Sequence, residues 1–182
     1  MITRKEAEEL LYEHLKSDNL RKHCLATAAV MEGIAEKFGY DPETWFITGI
    51  LHDIDFEIIG DDFSQHGLKA MELLQNADIT EEMRNAIKSH TEQAPVTTQL
   101  DKSLWIADPV NGLIVAAALM RPDRKISTIE IKSLRKKYKN RAFAAGANRE
   151  QIAACSELGM ELDEFLQLAL EAMTRYEKEL GF

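Results

Sequence analysis

The spacing of its apolar residues constrains this chain most, because such residues recur three and four positions apart over most of its length. Between Leu20 and Phe38, for example, they form one stripe along a predicted helix. No segment shows the regular alternation of apolar and polar residues that half-buried strands need. We therefore predict an all-α fold, built as a single compact bundle of several helices.

Capping residues and helix-ending glycines divide the chain into predicted helices. These cover about residues 4–15, 18–39, 41–54, 64–76, 80–90, 98–120, 141–157 and 162–180, and a further helix opens at Ser127, where Glu130 completes the spacing of a capping box. Pro109 is expected to break or kink the helix that contains it. The 182 residues suit one domain, with residues 1–120 as its core and residues 121–182 as C-terminal helices that pack on that core.

The chain is acidic overall but basic in one stretch. Its formal net charge of -9 argues against duplex nucleic acid as the main partner, because that kind of binding depends on clustered Lys and Arg. Basic residues nevertheless crowd the stretch from Arg121 to Arg141, with only Asp123 and Glu130 to oppose them. This stretch is either the solvated face of a helix or a phosphate-binding patch.

The sequence also bears on the compartment of the protein. No long apolar stretch follows the first residues, so we expect no secretory signal and a cytoplasmic protein. The most apolar run contains Asp108, Pro109 and Asn111, and it is interpreted as a core helix rather than a membrane span. Cys24 and Cys155 lack a Cys-x-x-Cys spacing and are expected to be buried free thiols. The sequence leaves open whether the chain forms a homodimer.

Two carboxylates lie where the burial pattern predicts apolar side chains. Asp53 ends the apolar run of the third predicted helix, and Asp108 interrupts the most apolar run of the chain. A carboxylate buried at such a position must be paired, hydrogen-bonded or bound to a metal ion.

Four histidines repeat this theme. His23 lies on the apolar stripe of the second predicted helix and His52 in the apolar third helix, while His66 and His90 have apolar neighbours at helical spacing. Imidazole and carboxylate groups together suit iron, manganese, zinc or similar ions. The structural alternative is that each buried Asp forms a core ion pair with a histidine, without any metal.

The order of these residues along the chain forms a pattern. His23 is followed about thirty residues later by His52-Asp53, and a lone aspartate, Asp108, follows in Ala107-Asp108-Pro109. This pattern resembles the HD-domain superfamily of metal-dependent phosphohydrolases over about residues 20–119. The resemblance implies that His23, His52, Asp53 and Asp108 bind a divalent or trivalent metal ion inside a helical bundle.

His66 and His90 extend the resemblance to members with two metal ions, among them symmetric diadenosine tetraphosphate hydrolases and cyclic dinucleotide phosphodiesterases. There the two histidines would hold a second ion and Asp53 would bridge the pair. The sequence departs from this subset, because Phe56 stands where many members carry a lysine. Ser89 replaces the first histidine of the His-His pair found in the cyclic dinucleotide enzymes, whose Gly-Tyr-Pro signature is also absent. Cyclic dinucleotides are therefore disfavoured as substrates.

The resemblance implies hydrolysis of a nucleotide or another small phosphate ester, by attack of metal-bound hydroxide on phosphorus. Asp53 would hold the metal, and Asp55 and Glu57 are candidates for orienting the water or transferring protons unless they are solvated loop carboxylates. Cationic partners for the phosphate are expected from the C-terminal helices: Lys132, Lys139 and Arg149. The alternative is a binding or regulatory module that keeps the fold but has no turnover, which the missing lysine favours.

Overall fold

The computed structural model describes residues 1–182. The helices are α1 Arg4–His14, α2 Asp18–Phe38, α3 Pro42–Leu51, α4 Phe56–Ile59, α5 Leu68–Leu73, α6 Glu81–Ser89, α7 Gln99–Leu119, α8 Ile131–Lys139, α9 Arg149–Ala153, α10 Leu162–Arg175 and α11 Glu177–Leu180. Two 3-10 segments, Phe63–Gln65 and Ala154–Leu158, complete the regular structure, and no strand is present. The prediction of an all-α fold is confirmed.

The core lies between α2, α3 and α7, whose buried apolar side chains belong to one hydrophobic cluster that extends from α1 to α11. α10 packs on both α2 and α7, so the C-terminal helices close the same bundle. Cys24 and Cys155 are buried and free, as predicted. None of the helices combines the length and the apolar character that crossing a membrane would require.

α2 and α3 approach each other closely at one glycine. A Cβ atom placed on Gly49 would lie 2.6 Å from Ala28 Cα and 2.8 Å from Ala28 N, which is too close for any side chain. Glycine at this position therefore allows the two helix backbones to meet. His23 precedes Ala28 on α2 and His52 follows Gly49, so this contact sets the spacing of the two histidine-bearing segments.

α3 ends earlier than predicted. Its last residue is Leu51, and the next residues form turns in which Ile54 N donates to Leu51 O and Phe56 N donates to Asp53 O. Asp55 explains why the helix ends and a turn follows, because its buried carboxylate accepts hydrogen bonds from the backbone N–H groups of Gly67 and Ala70. These bonds hold the chain in a turn where the sequence predicts helix.

The helix predicted over residues 64–76 is also shorter. α5 begins only at Leu68, since Gly67 has a φ of +81° and its N–H is bound by Asp55. His66 therefore precedes the helix and has an extended backbone conformation.

α7 continues through Pro109, so the predicted break is absent. Proline has no N–H, and the carbonyl oxygen of Trp105, four residues earlier, therefore loses its helical partner. Gln151 takes that place, with its side-chain Nε2 donating to Trp105 O at 3.3 Å. A proline in α7 thus creates an attachment point for α9.

The segment from Ser127 to Arg149 differs most from the prediction. Ser127 caps no helix, because its N–H and hydroxyl donate to Glu177, and α8 begins only at Ile131. Residues 141–148, predicted as helix, form a loop around the side chain of Arg149. The guanidinium group donates to five backbone carbonyl oxygens, which belong to Tyr138, Asn140, Phe143, Ala144 and Ala147. Since a helix would direct these carbonyls along its own axis, the buried arginine favours the loop.

Candidate metal centre

Side chains from α2, the turn after α3, the end of α6 and α7 converge on Asp53. Asp53 is only 6% exposed, and the Nε2 atoms of three histidines lie 3.3 Å (His23), 3.2 Å (His66) and 3.3 Å (His90) from its carboxylate oxygens. His52 Nε2 lies 3.4 Å from Asp53 Oδ1. The carboxylate is therefore surrounded by imidazole nitrogens, and no Lys or Arg pairs with it.

Asp108 joins the group from α7. Its Oδ1 lies 3.0 Å from His23 Nε2 and 3.7 Å from His52 Nε2. Two sets of potential donor atoms lie within 4.8 Å of one another, one formed by His23, His52 and Asp108 and the other by His52, Asp53 and His90. The structure thus brings together all six side chains that the sequence named as metal ligands.

The four histidines are oriented in the same way. Each ring donates its Nδ1–H to an acceptor within the protein and directs Nε2 into the group. The acceptors are Asn111 Oδ1 for His23, Gly49 O for His52, Asp55 Oδ1 for His66 and Ile87 O for His90. Metal-bound histidines have this arrangement, because the outer hydrogen bond fixes both the tautomer and the direction of the inner nitrogen.

The inner nitrogens approach each other closely. His23 Nε2 lies 3.2 Å from His52 Nε2, and both rings already donate through Nδ1. In the neutral tautomers two lone pairs would face each other, which is unfavourable unless a proton or a cation lies between them. The chemistry of this donor set, with imidazole and carboxylate groups, fits a transition-metal ion.

The electrostatics point the same way. Burial opposes protonation of His23, yet the carboxylates of Asp108 and Asp53 raise its pKa to about 10. Burial also opposes protonation of His66, whose pKa is raised to about 9 by Asp53 and Asp55. Burial favours the neutral form of Asp53, but positive charge on His52 and hydrogen bonds from the other histidines keep its pKa well below the usual range. The group therefore binds positive charge strongly.

The order and geometry of these residues agree with a match to known families. Residues 20–129, more than half of the chain, match the family model described as the HD domain. The chain belongs to the HD-domain family. This match reaches from the start of α2 to the loop before α8, and it contains every residue of the histidine and aspartate group.

One curated relative extends over nearly the whole chain. Ribonuclease Y of Opitutus terrae is 23% identical over 177 residues, which cover 96% of this chain. The chain spans about a third of that protein's length, 34%. The resemblance therefore includes the C-terminal helices, which the family model leaves out.

Asp55 and Glu57, named as catalytic candidates, lie in different surroundings. Asp55 is fully buried and accepts the Nδ1–H of His66 at 2.8 Å, so it contacts a histidine rather than solvent. Glu57 is exposed, and its carboxylate accepts the backbone N–H groups of Lys16 and Ser17 at 2.7 and 2.6 Å. Asp55 is thus placed to orient a ligand, whereas Glu57 links α4 to the start of α2.

The three C-terminal cations do not line the cleft beside the group. Arg149 is 6% exposed, and all five N–H groups of its guanidinium donate to backbone carbonyl oxygens, so no donor remains for a phosphate. Lys132 and Lys139 make no hydrogen bond or salt bridge with a residue of the histidine and aspartate group. The cleft has a volume of about 360 Å³, and its lining consists of His66, His90, Thr91, Glu92, Trp105, Asp108, Asn148 and Gln151.

The sequence interpretation missed several of these lining residues. Glu92 has a φ of +65°, a conformation that few residues other than glycine adopt, and no pattern in the sequence marks it. Asn148 and Gln151 line the cleft at and just after the end of residues 141–148, which form a loop where the sequence predicts helix. Asn111 was recognisable, because it is the second polar residue in the apolar run of α7, and it donates to Thr27 Oγ1 while it accepts from His23.

Proposed function

We propose that this protein is a metal-dependent phosphohydrolase acting on a small phosphate ester. Membership of the HD-domain family supports the general chemistry. The observation that carries the proposal is the common orientation of the four histidines, each with Nδ1 donating outward and Nε2 directed at Asp53 or Asp108. An ion pair in the core would need one such histidine, not four.

The ligands divide into two sets. His23, His52, Asp53 and Asp108 would hold a first divalent ion, and His66 and His90 would add a second one with Asp53 between the two. Bound ions of this kind lower the pKa of a coordinated water and neutralise phosphoryl oxygens. The donor types suit iron or manganese.

Residues around the ligands have supporting roles. Asn111 and Asp55 orient His23 and His66 through the hydrogen bonds to their Nδ1 atoms. Glu92 is the carboxylate that lines the cleft without belonging to the ligand set, and we propose it as the group that would accept a proton from the attacking water.

The full-length chain, purified without chelator, tests this function. Its metal content is measured, the metal is removed, and Mn²⁺, Fe²⁺ or Zn²⁺ is added back before assay with p-nitrophenyl phosphate, bis(p-nitrophenyl) phosphate and nucleoside monophosphates. We expect hydrolysis that depends on the added metal and is lost in His23→Ala. Metal-loaded wild-type protein that cleaves none of these esters would instead indicate a binding or regulatory module.

A second candidate function is cleavage of short single-stranded RNA. It is supported by the similarity to Ribonuclease Y, which extends over 96% of this chain. The basic residues of α8 would supply contacts to a longer backbone, since the cleft itself offers none. A labelled RNA of about ten nucleotides, incubated with the metal-loaded chain, tests this: shortened products support it, and an intact RNA alongside rapid cleavage of monoesters contradicts it.

A further inference from the structure

The cleft beside the candidate metal centre has a second wall that the family match does not include. Asn148 and Gln151 belong to the start of α9, beyond residues 20–129, and they face the cleft together with Trp105 of α7. The opposite lining comes from His66, His90 and Asp108. A group that extends from the centre into this cleft would therefore meet two amides and an indole.

This wall carries no positive charge. No Lys or Arg lines the cleft, and Glu92 adds a negative charge to its rim. Arg149 is adjacent in sequence to Asn148, but its donors are spent on five carbonyl oxygens. A chain of phosphates extending into this cleft would meet neutral or acidic groups, so this cleft suits a substrate with a single phosphate and an uncharged remainder. The larger cavity on the side of His23, of about 450 Å³, does carry a cation, Lys22.

The wall retains unused hydrogen-bonding groups. Asn148 Oδ1 accepts the N–H groups of Glu150 and Gln151 as a helix cap, and its Nδ2 makes no hydrogen bond within the protein. Gln151 donates one Nε2 hydrogen to Trp105 O, and its Oε1 accepts no hydrogen bond. The indole N–H of Trp105 also has no partner. Donors and acceptors beside an aromatic ring are the groups that recognise a nucleobase, by stacking and by bonds to its edge.

Two features fix this wall in position. Pro109, next to Asp108, frees the carbonyl oxygen to which Gln151 binds. Arg149 holds the preceding loop through its five hydrogen bonds, which places Asn148 at the N-cap of α9. The amides are therefore preorganised, which reduces the entropy lost when a ligand binds.

From these observations we infer that Trp105, Asn148 and Gln151 bind the base of a nucleoside monophosphate whose phosphate lies at the metal centre. The cleft volume of about 360 Å³ is at the small end of ligand sites, which typically measure roughly 300–1,000 Å³. This inference rests on the proposed function for the position of the phosphate. It does not need turnover for the binding of the base.

Tryptophan fluorescence of the metal-free full-length chain tests the base-binding role directly. The chain has two tryptophans, and Trp45 is buried and stacked on Tyr40, so Trp105 is the one that reports on the cleft. Adenosine should quench the emission of the wild-type chain saturably, and it should leave that of Trp105→Phe unchanged. Asn148→Asp keeps the oxygen that caps α9 and loses only the free Nδ2 donor, so it should weaken the binding of adenosine about tenfold, the effect of one lost hydrogen bond. Gln151→Ala should weaken the binding at least as much, because it also removes the bond to Trp105 O that attaches α9. The matched control is Gln75→Ala, an exposed glutamine away from the cleft, which should bind like wild type.

Kinetics with two monoesters separates a binding role from a structural one. With the metal-loaded enzyme, Gln151→Ala and Asn148→Asp should raise KM for adenosine monophosphate at least about tenfold, and kcat/KM for p-nitrophenyl phosphate should fall far less. An equal loss for both esters, or unaltered quenching in both variants, would overturn the inference. If the wild-type chain binds adenosine but cleaves neither ester, the base site stands and the proposed hydrolase function fails.

Discussion

Two buried charges in this chain, Asp53 and Arg149, are neutralised in opposite ways. Asp53 lies among four histidines, whose charge depends on whether a proton or a cation is bound. Arg149 lies among five backbone carbonyl oxygens, whose partial charge does not vary. Burial lowers the pKa of Arg149, and the carbonyl groups that bind its guanidinium cannot take up or release a proton.

This difference suits a role in ligand binding for Asp53 and a role in stability for Arg149. A buried carboxylate surrounded by histidines can bind a cation, because the cation replaces the protons on those histidines and the fold is retained. A charge held by backbone carbonyls fixes the loop that supplies them. We therefore expect substitutions at Asp53 to change chemistry while the fold persists, and substitutions at Arg149 to change stability first.

The largest effect is expected for Asp53→Ala and Asp108→Ala. Either change removes a carboxylate that contacts at least two histidines, so metal retention and phosphatase activity should fall below detection. The far-ultraviolet circular dichroism of both variants should stay helical. Activity equal to that of the wild type in either variant would remove that carboxylate from the ligand set.

His66→Ala and His90→Ala test the second ion. Both histidines contact Asp53 Oδ1, at 3.2 and 3.3 Å, whereas His23 contacts the other carboxylate oxygen, Oδ2. Elemental analysis under metal-replete conditions should show about two ions per wild-type chain and about one in each variant. One ion in all three proteins would make these histidines substrate contacts instead.

Arg149→Met should destabilise the protein without removing a ligand. The substitution leaves five carbonyl oxygens without their donor, and we expect the free energy of unfolding to fall by about 2–4 kcal/mol. Arg149→Lys, which keeps the charge but not the planar fork of donors, should lose less. Urea denaturation measures both variants, and wild-type stability in Arg149→Met would show that the loop does not depend on the arginine.

Asp55→Asn probes the support of a ligand. The asparagine keeps one oxygen for the three donors that now share the carboxylate, so His66 should be held less well. Metal affinity, measured by calorimetry, should decrease about 10- to 100-fold, as is usual when an outer partner of a ligand is altered. An unchanged affinity would argue that His66 is oriented by packing alone.

Glu57→Gln should have the smallest effect. Its carboxylate binds the backbone of Lys16 and Ser17 and does not line the cleft, so activity should stay within about twofold of wild type. It is the control for Asp55→Asn, since both acids belong to the same short segment. A large loss in Glu57→Gln would return this residue to the catalytic candidates.

The sequence predicted the core of the site better than its rim. Helical spacing placed His23 and His90 on inward faces, and the polar interruption of an apolar run marked Asp108, because burial follows from local periodicity. The turn after Leu51 and the loop before α9 depend on Asp55 and Arg149, whose partners lie farther along or earlier in the chain. Hydrogen bonds of this kind do not produce a periodic pattern in the sequence. The predicted helices over residues 41–54 and 141–157 were therefore too long, and Arg149 was predicted to bind a phosphate.

The contact between Gly49 and Ala28 has a consequence for how such a centre can be altered. The same glycine that lets α3 touch α2 also supplies the carbonyl that orients His52. A larger residue there would push the two helices apart and widen the gap between His23 and His52, with every ligand still present. The distance between the two histidines thus depends on Gly49, which is not itself a candidate ligand. We therefore expect differences in metal preference between relatives to arise from position 49 as well as from the ligands.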